Sequence, residues 1–229
     1  MTEPEPGPAH SHDEAKYAQV LRFPNRRESI RRFPPLIAGL IIMGLSISLS
    51  VRAELGLAPW DVFHQGLADL FNISIGVVVV LVGLVVLIAW IPLRQHLGIG
   101  SIINTLSVGF IADLGLAWIP NQSLLVVRIA FLTLAILGFG LGGGLYIGAG
   151  LGPGPRDGLM TAITARFGYR LWIVRTVLEC SVLVVGLALG GKVGIGTVLI
   201  AFSLGPLTHA GLRRFHLPVH DDAPEVMGE

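Results

Sequence analysis

The chain has 229 residues, of which 52% are hydrophobic and 14% charged, with formal net charge +1 and mean hydropathy +0.72. A soluble domain carries about 25% charged residues, so a chain this short has no water-soluble core large enough for its apolar surface, and lipid is the expected solvent. The single cysteine, Cys180, excludes an intrachain disulfide and a cysteine-based metal cluster. The near-neutral charge identifies no partner, and nucleic acid is not expected.

Residues 1–33 are polar and Pro-rich and predict a disordered cytoplasmic tail. No apolar run followed by a small-residue cleavage site occurs there, which argues against a signal peptide. Lys16, Arg22, Arg26, Arg27, Arg31 and Arg32 lead into the first apolar segment. Such a stretch anchors topology, and anionic-lipid binding is the sharper alternative.

Six segments are long and apolar enough to span, near 34–51, 73–93, 99–119, 124–148, 171–190 and 194–212. Two shorter stretches, 59–71 and 155–167, each begin with Pro, which suits a first helical turn. Arg94, then Arg156, Arg166 and Arg170, then Arg213 and Arg214 fall in alternate connections, while Arg52 and Lys192 occupy the others. That distribution puts both termini in the cytoplasm.

A shift of 96 positions lays the chain over itself without a gap from Gly44 to Leu212. It carries Gly44 onto Gly140, Leu55-Gly56 onto Leu151-Gly152, Pro59 onto Pro155 and Asp61 onto Asp157. Gly98-Ile99-Gly100 falls on Gly194-Ile195-Gly196, and Ser107, Gly109, Gly115 and Leu116 also find identical partners. Matched Gly, Pro and Asp are stronger evidence than apolar repetition. Three crossings per copy is an odd number, so the second copy enters the membrane upside down. The expected fold is all-α, with six transmembrane helices in two inverted-topology repeats, each span–short helix–span–span. Repeat 1 covers 34–119, repeat 2 covers 124–214, and a cytoplasmic tail follows over 215–229.

The element L-G-L-A-P-W-D (55–61), the later L-G-I-G-S (97–101), and their echoes L-G-P-G-P-R-D (151–157) and V-G-I-G-T (193–197) resemble the YczE/YitT group of bacterial membrane proteins. The resemblance covers roughly residues 34–214. It implies a bacterial inner-membrane protein and, loosely, transport, and it supplies neither substrate nor catalytic residues.

Asp61 and Asp157 lead the residues that can carry chemistry. Each lies two residues after a Pro, where an acid caps free N–H groups and meets the helix dipole. If the short helices dip into the membrane from opposite faces, both carboxylates instead flank a central site for a cation, a proton or a cationic substrate. Asp61, His64 and Gln65 share a helical face whose repeat counterparts are Asp157, Met160 and Thr161, so the site would be asymmetric. Arg175 and Glu179 lie one turn apart in the fifth span, near mid-depth, either as a buried ion pair or as part of a site. Asn104, Asp113 and His209 are weaker candidates. Gly56, Pro59, Gly152 and Pro155 break the helix, and the run Gly138, Gly140, Gly142, Gly143, Gly144 favours close packing. No Lys-Ser/Thr follows the paired glycines at 98–100 and 194–196, so they are not a phosphate loop.

The expected function is a small-molecule transporter or exporter with a central site between the repeats. A substrate-binding subunit with an energising partner, or a non-transporting regulator, is the alternative, with a homo-oligomer as another expected state. No H-E-x-x-H, Walker motif or G-x-G-D order is present, so no enzyme activity, cofactor or metal is expected.

Overall fold

The computed structural model describes residues 26–215, with side chains from 30 to 214. Lys16, Arg22, the side chains of Arg26 and Arg27, residues 1–25 and residues 216–229 lie outside that range. The described residues form eight helices and no strand: α1 (Arg26–Ala53), α2 (Pro59–Phe71), α3 (Ile75–Leu93), α4 (Ile99–Trp118), α5 (Leu125–Gly148), α6 (Pro155–Phe167), α7 (Leu171–Ala188) and α8 (Ile195–Phe215). All but the two short helices α2 and α6 are long and apolar enough to cross a bilayer. The molecule is an all-α integral membrane protein with multiple spans.

The short helices occupy the expected residues. The first span does not: α1 begins at Arg26, eight residues before the expected start at 34, and runs through Pro34 and Pro35. A Pro pair ordinarily signals a first turn because its N–H groups are missing. Here the helix continues on both sides, so Arg31 and Arg32 sit on it rather than in a coil.

α1 and α5 pack along each other at the centre, with α4 against α1 and α8 against α5. The short helices cross over: α2 packs on α7 and α6 packs on α3. Each half therefore completes the other. The ends of α1 and α5 show how. Arg128, near the start of α5, donates to the carbonyl oxygens of Ala53 (2.7 Å) and Glu54 (2.7 Å) at the end of α1. Arg32, on the first part of α1, donates to Ala149 O (3.3 Å) just past the end of α5. Both guanidinium groups satisfy free helix-end carbonyls and meet the negative end of the dipole. These contacts run α1 and α5 antiparallel. They also extend the 96-residue register back to Arg32 and Arg128, which sequence comparison from Gly44 onward leaves out.

A second reciprocal pair explains the paired glycines. Gly100 N donates to Leu151 O and Gly196 N donates to Leu55 O, both at 2.8 Å. The free N–H groups at the starts of α4 and α8 are thus met by the opposite half. Gly56 and Gly152 turn the chain there with φ of +114° and +123°. A side chain at either would be strained by that φ and would strike backbone, since an added Cβ would lie 2.7 Å from Gly194 N or 2.8 Å from Gly98 Cα.

The glycine run on α5 serves packing, as expected. Gly142 meets the Gly39 backbone of α1, while Gly140 and Gly144 meet Leu207 and Gly211 of α8. The halves differ elsewhere. α3 packs along α4, whereas α7 and α8 barely touch. Trp90 of α3 lies fully buried against Gly158 of α6, while the equivalent place in the other half pairs Gly186 of α7 with Val62 of α2. The glycine has changed sides at this contact, and the residue facing it is Trp in one half and the smaller Val in the other.

Candidate functional site

After each Gly turn the chain starts a short helix directed into the bundle. The first turns of α2 bury Trp60, Asp61, Val62 and His64. α6 starts from Gly154 with Pro155 at its head, and Trp90 Nε1 fixes that head by donating to Pro155 O at 3.1 Å. Between the two helix starts lies a cavity of about 80 Å³, walled by residues of both halves. Its polar lining is Trp60, Asp61, His64, Asn104, Thr105, Tyr146, Arg156 and Asp157, and Val79, Val82, Val86 and Val108 supply much of its apolar wall. A water needs about 10–15 Å³ of such volume, so the space suits several waters or one small molecule.

Asp61 is 3% exposed. Its Oδ1 lies 3.3 Å from His64 Nδ1, one turn along α2, and its Oδ2 has no hydrogen-bond partner among the described residues. Leaving a buried acceptor unmet costs about 1–3 kcal/mol, more when it is charged. On the facing wall, the hydroxyl of buried Tyr146 donates to Asp157 Oδ2. Arg156 lines the same cavity as Asp61 and Asp157 and makes no ion pair among the described residues. The cavity thus carries two carboxylates from equivalent positions of the two halves and one guanidinium from the second half only.

The structure brings Asp61, His64 and Asp157 to one cavity, together with Asn104. It places Gln65, Thr161, Arg175, Glu179 and Asp113 outside the lining. Gln65 Oε1 accepts from Lys192 N (2.8 Å) and ties α2 to the α7–α8 connection. Thr161 Oγ1 donates back to Gly158 O at 3.0 Å within its own helix. Arg175 and Glu179 form a 3.0 Å ion pair along α7, with both side chains partly exposed. Asp113 accepts from Gly76 N (2.8 Å) and from Ser74, holding the start of α3. Gly56 and Gly152 turn the chain before the two short helices, and Pro59 and Pro155 stand at their heads.

Sequence reasoning missed Arg156, Tyr146 and Trp60 as cavity residues. Arg156 stands inside the quoted G-P-G-P-R-D element, but there it counted only as a topology charge. Tyr146 follows the glycine run and carried no signal beyond packing.

A family model described as a family of unknown function (DUF6198) matches residues 30–212. An uncharacterized protein of Haemophilus influenzae is 39% identical over 170 residues, covering 74% of this chain and 78% of that one. The uncharacterized membrane protein YczE of Bacillus subtilis is 33% identical over 195 residues, covering 84% and 88%. The uncharacterized protein YyaS of the same organism is 29% identical over 177 residues, covering 75% and 87%. No solved structure matches. The family match takes in every spanning helix and both cavity walls, and the chain belongs to that family, as a membrane protein of the YczE group.

Proposed function

We propose that this chain is a small-molecule transporter or exporter of the bacterial cytoplasmic membrane, with its substrate site in the cavity between two inverted repeats and both termini in the cytoplasm. One observation carries the reading: Asp61 and Asp157, 96 positions apart, line the same cavity. Carboxylates serving only as caps on opposite membrane faces would be separated by about 30 Å of hydrocarbon. The reciprocal Arg32–Ala149 and Arg128–Ala53 bonds, with antiparallel α1 and α5, support the inverted arrangement. A midplane site at a repeat interface, built from interrupted helices, is a common transporter design in which the halves rock around the site. The Lys/Arg distribution supports the orientation. The unmet Asp61 Oδ2 is the kind of cost that a binding site retains. No catalytic role is assigned to any residue.

Alternating access is testable without a known substrate. Val82, on the cavity wall, is replaced by Cys in a Cys180→Ser background, and a membrane-impermeant thiol reagent is applied to right-side-out and inverted vesicles. Labelling from both faces is the expected result. Labelling from one face only, or from neither, refutes a transport cycle through this cavity.

A further inference from the structure

We infer that the cavity takes a small zwitterion, a molecule carrying both an ammonium and a carboxylate on a short aliphatic body, such as a small neutral amino acid. The inference rests on the transporter reading above and names the substrate class of that site.

Unmet groups of opposite kind line the two walls of the cavity, and the buried Trp60 Nε1, also without a partner among the described residues, adds a neutral donor on the α2 side. On the α2 wall, Asp61 Oδ1 is engaged by His64 while Oδ2 has no donor. A buried carboxylate oxygen in that state is matched by an N–H donor, best a charged one. On the α6 wall, the Tyr146 hydroxyl occupies one oxygen of Asp157, and Arg156 has no ion pair among the described residues. A guanidinium suits a carboxylate, which it binds through two parallel N–H···O bonds. The two requirements come from different halves, so one ligand meeting both would span the interface.

Charge decides against simpler ligands. An anion alone would leave Asp61 Oδ2 unmet and add negative charge beside two carboxylates. A cation alone would leave Arg156 unmet and set positive charge beside it. A zwitterion meets both and adds no net charge to the cavity. Size agrees: about 80 Å³ corresponds to roughly five to eight water-sized positions, on the order of the heavy atoms in alanine or valine. The surrounding Val79, Val82, Val86 and Val108 suit a short aliphatic body.

The test is thermal unfolding of the purified full-length protein in detergent micelles. The probes are glycine, L-alanine, L-valine and β-alanine, set against L-alaninamide (cation only) and N-acetyl-L-alanine (anion only). A saturable rise in Tm with at least one zwitterion, and with neither single-charge analogue, is expected. Asp61→Asn and Arg156→Gln should each weaken the apparent affinity tenfold or more. A response to L-alaninamide equal to that for L-alanine overturns the zwitterion and leaves the cavity as a cation site. A zwitterion response unchanged in both variants places binding elsewhere and overturns the inference. No response to any of the four zwitterions overturns it as well, whereas two-sided labelling of Val82→Cys would still uphold the transporter reading. The wild-type probe series decides the class even if a variant does not fold.

Discussion

Replacing Gly152 by Ala isolates the turn that delivers Pro155, Arg156 and Asp157 to the cavity. Two costs add at this position. The backbone holds φ at +123°, a region that L side chains rarely adopt, at a cost of about 1–3 kcal/mol. The new Cβ would also stand 2.8 Å from Gly98 Cα and 2.7 Å from Ser101 Oγ. The first is backbone, and the second belongs to a fully buried side chain. Overpacking of this kind costs about 1–3 kcal/mol. A mid-range total of about 4 kcal/mol lowers Tm by roughly 8–16 °C for a chain of this size, at about 2–4 °C per kcal/mol. Gly168→Ala is the matched control. Its φ is +71°, but nothing lies within 4 Å of an added Cβ, so only the left-handed cost of about 1–2 kcal/mol applies. Thermal unfolding of both variants in one detergent gives the comparison. Equal losses would show that the Gly152–Gly98 approach contributes nothing, and the account of the turn would fail.

Gly158→Ala should be similarly harmful, by about 1–3 kcal/mol, because its Cβ would enter the ring of buried Trp90. Gly158→Ala with Trp90→Phe should recover part of that loss, and no recovery would mean that the Trp90–Gly158 contact is not the cause. In a Cys180→Ser background, Gln122→Cys should label with an impermeant reagent only from outside. Labelling confined to the cytoplasmic side would reverse the proposed orientation.

Much of the fold is legible in the sequence because its punctuation is chemical. Gly56 and Gly152 satisfy a positive φ, Pro59 and Pro155 head helices, and the apolar runs give the spans. The start of α1 was not legible, because Pro34-Pro35 imitates a helix beginning that tertiary packing overrides. The site was half legible. Asp61 and Asp157 stood out because a carboxylate amid apolar residues is costly in any arrangement. Arg156 and Tyr146 did not, because their roles depend on what the opposite half sets across from them. Arg32 is the clearest case: in sequence it continues a basic anchor, yet in the fold it is 5% exposed and holds the end of α5. Gln65 shows the converse, a polar residue on the correct helical face whose partner is the backbone of Lys192.

The central claim is that Asp61 and Asp157 share one cavity, and a double-mutant cycle measures this without any ligand. Asp61→Asn, Asp157→Asn and the double variant keep side-chain size and capping oxygens while removing charge. With both carboxylates present they repel each other and compete for Arg156. Without Asp157, Asp61 has the guanidinium to itself, so its removal then costs more than in the wild-type chain. The double variant should therefore be less stable than the two single effects add up to, by about 0.5–3 kcal/mol as for residues of one charge network. Additivity within about 0.3–0.5 kcal/mol, the behaviour of distant helix caps, would contradict the shared site.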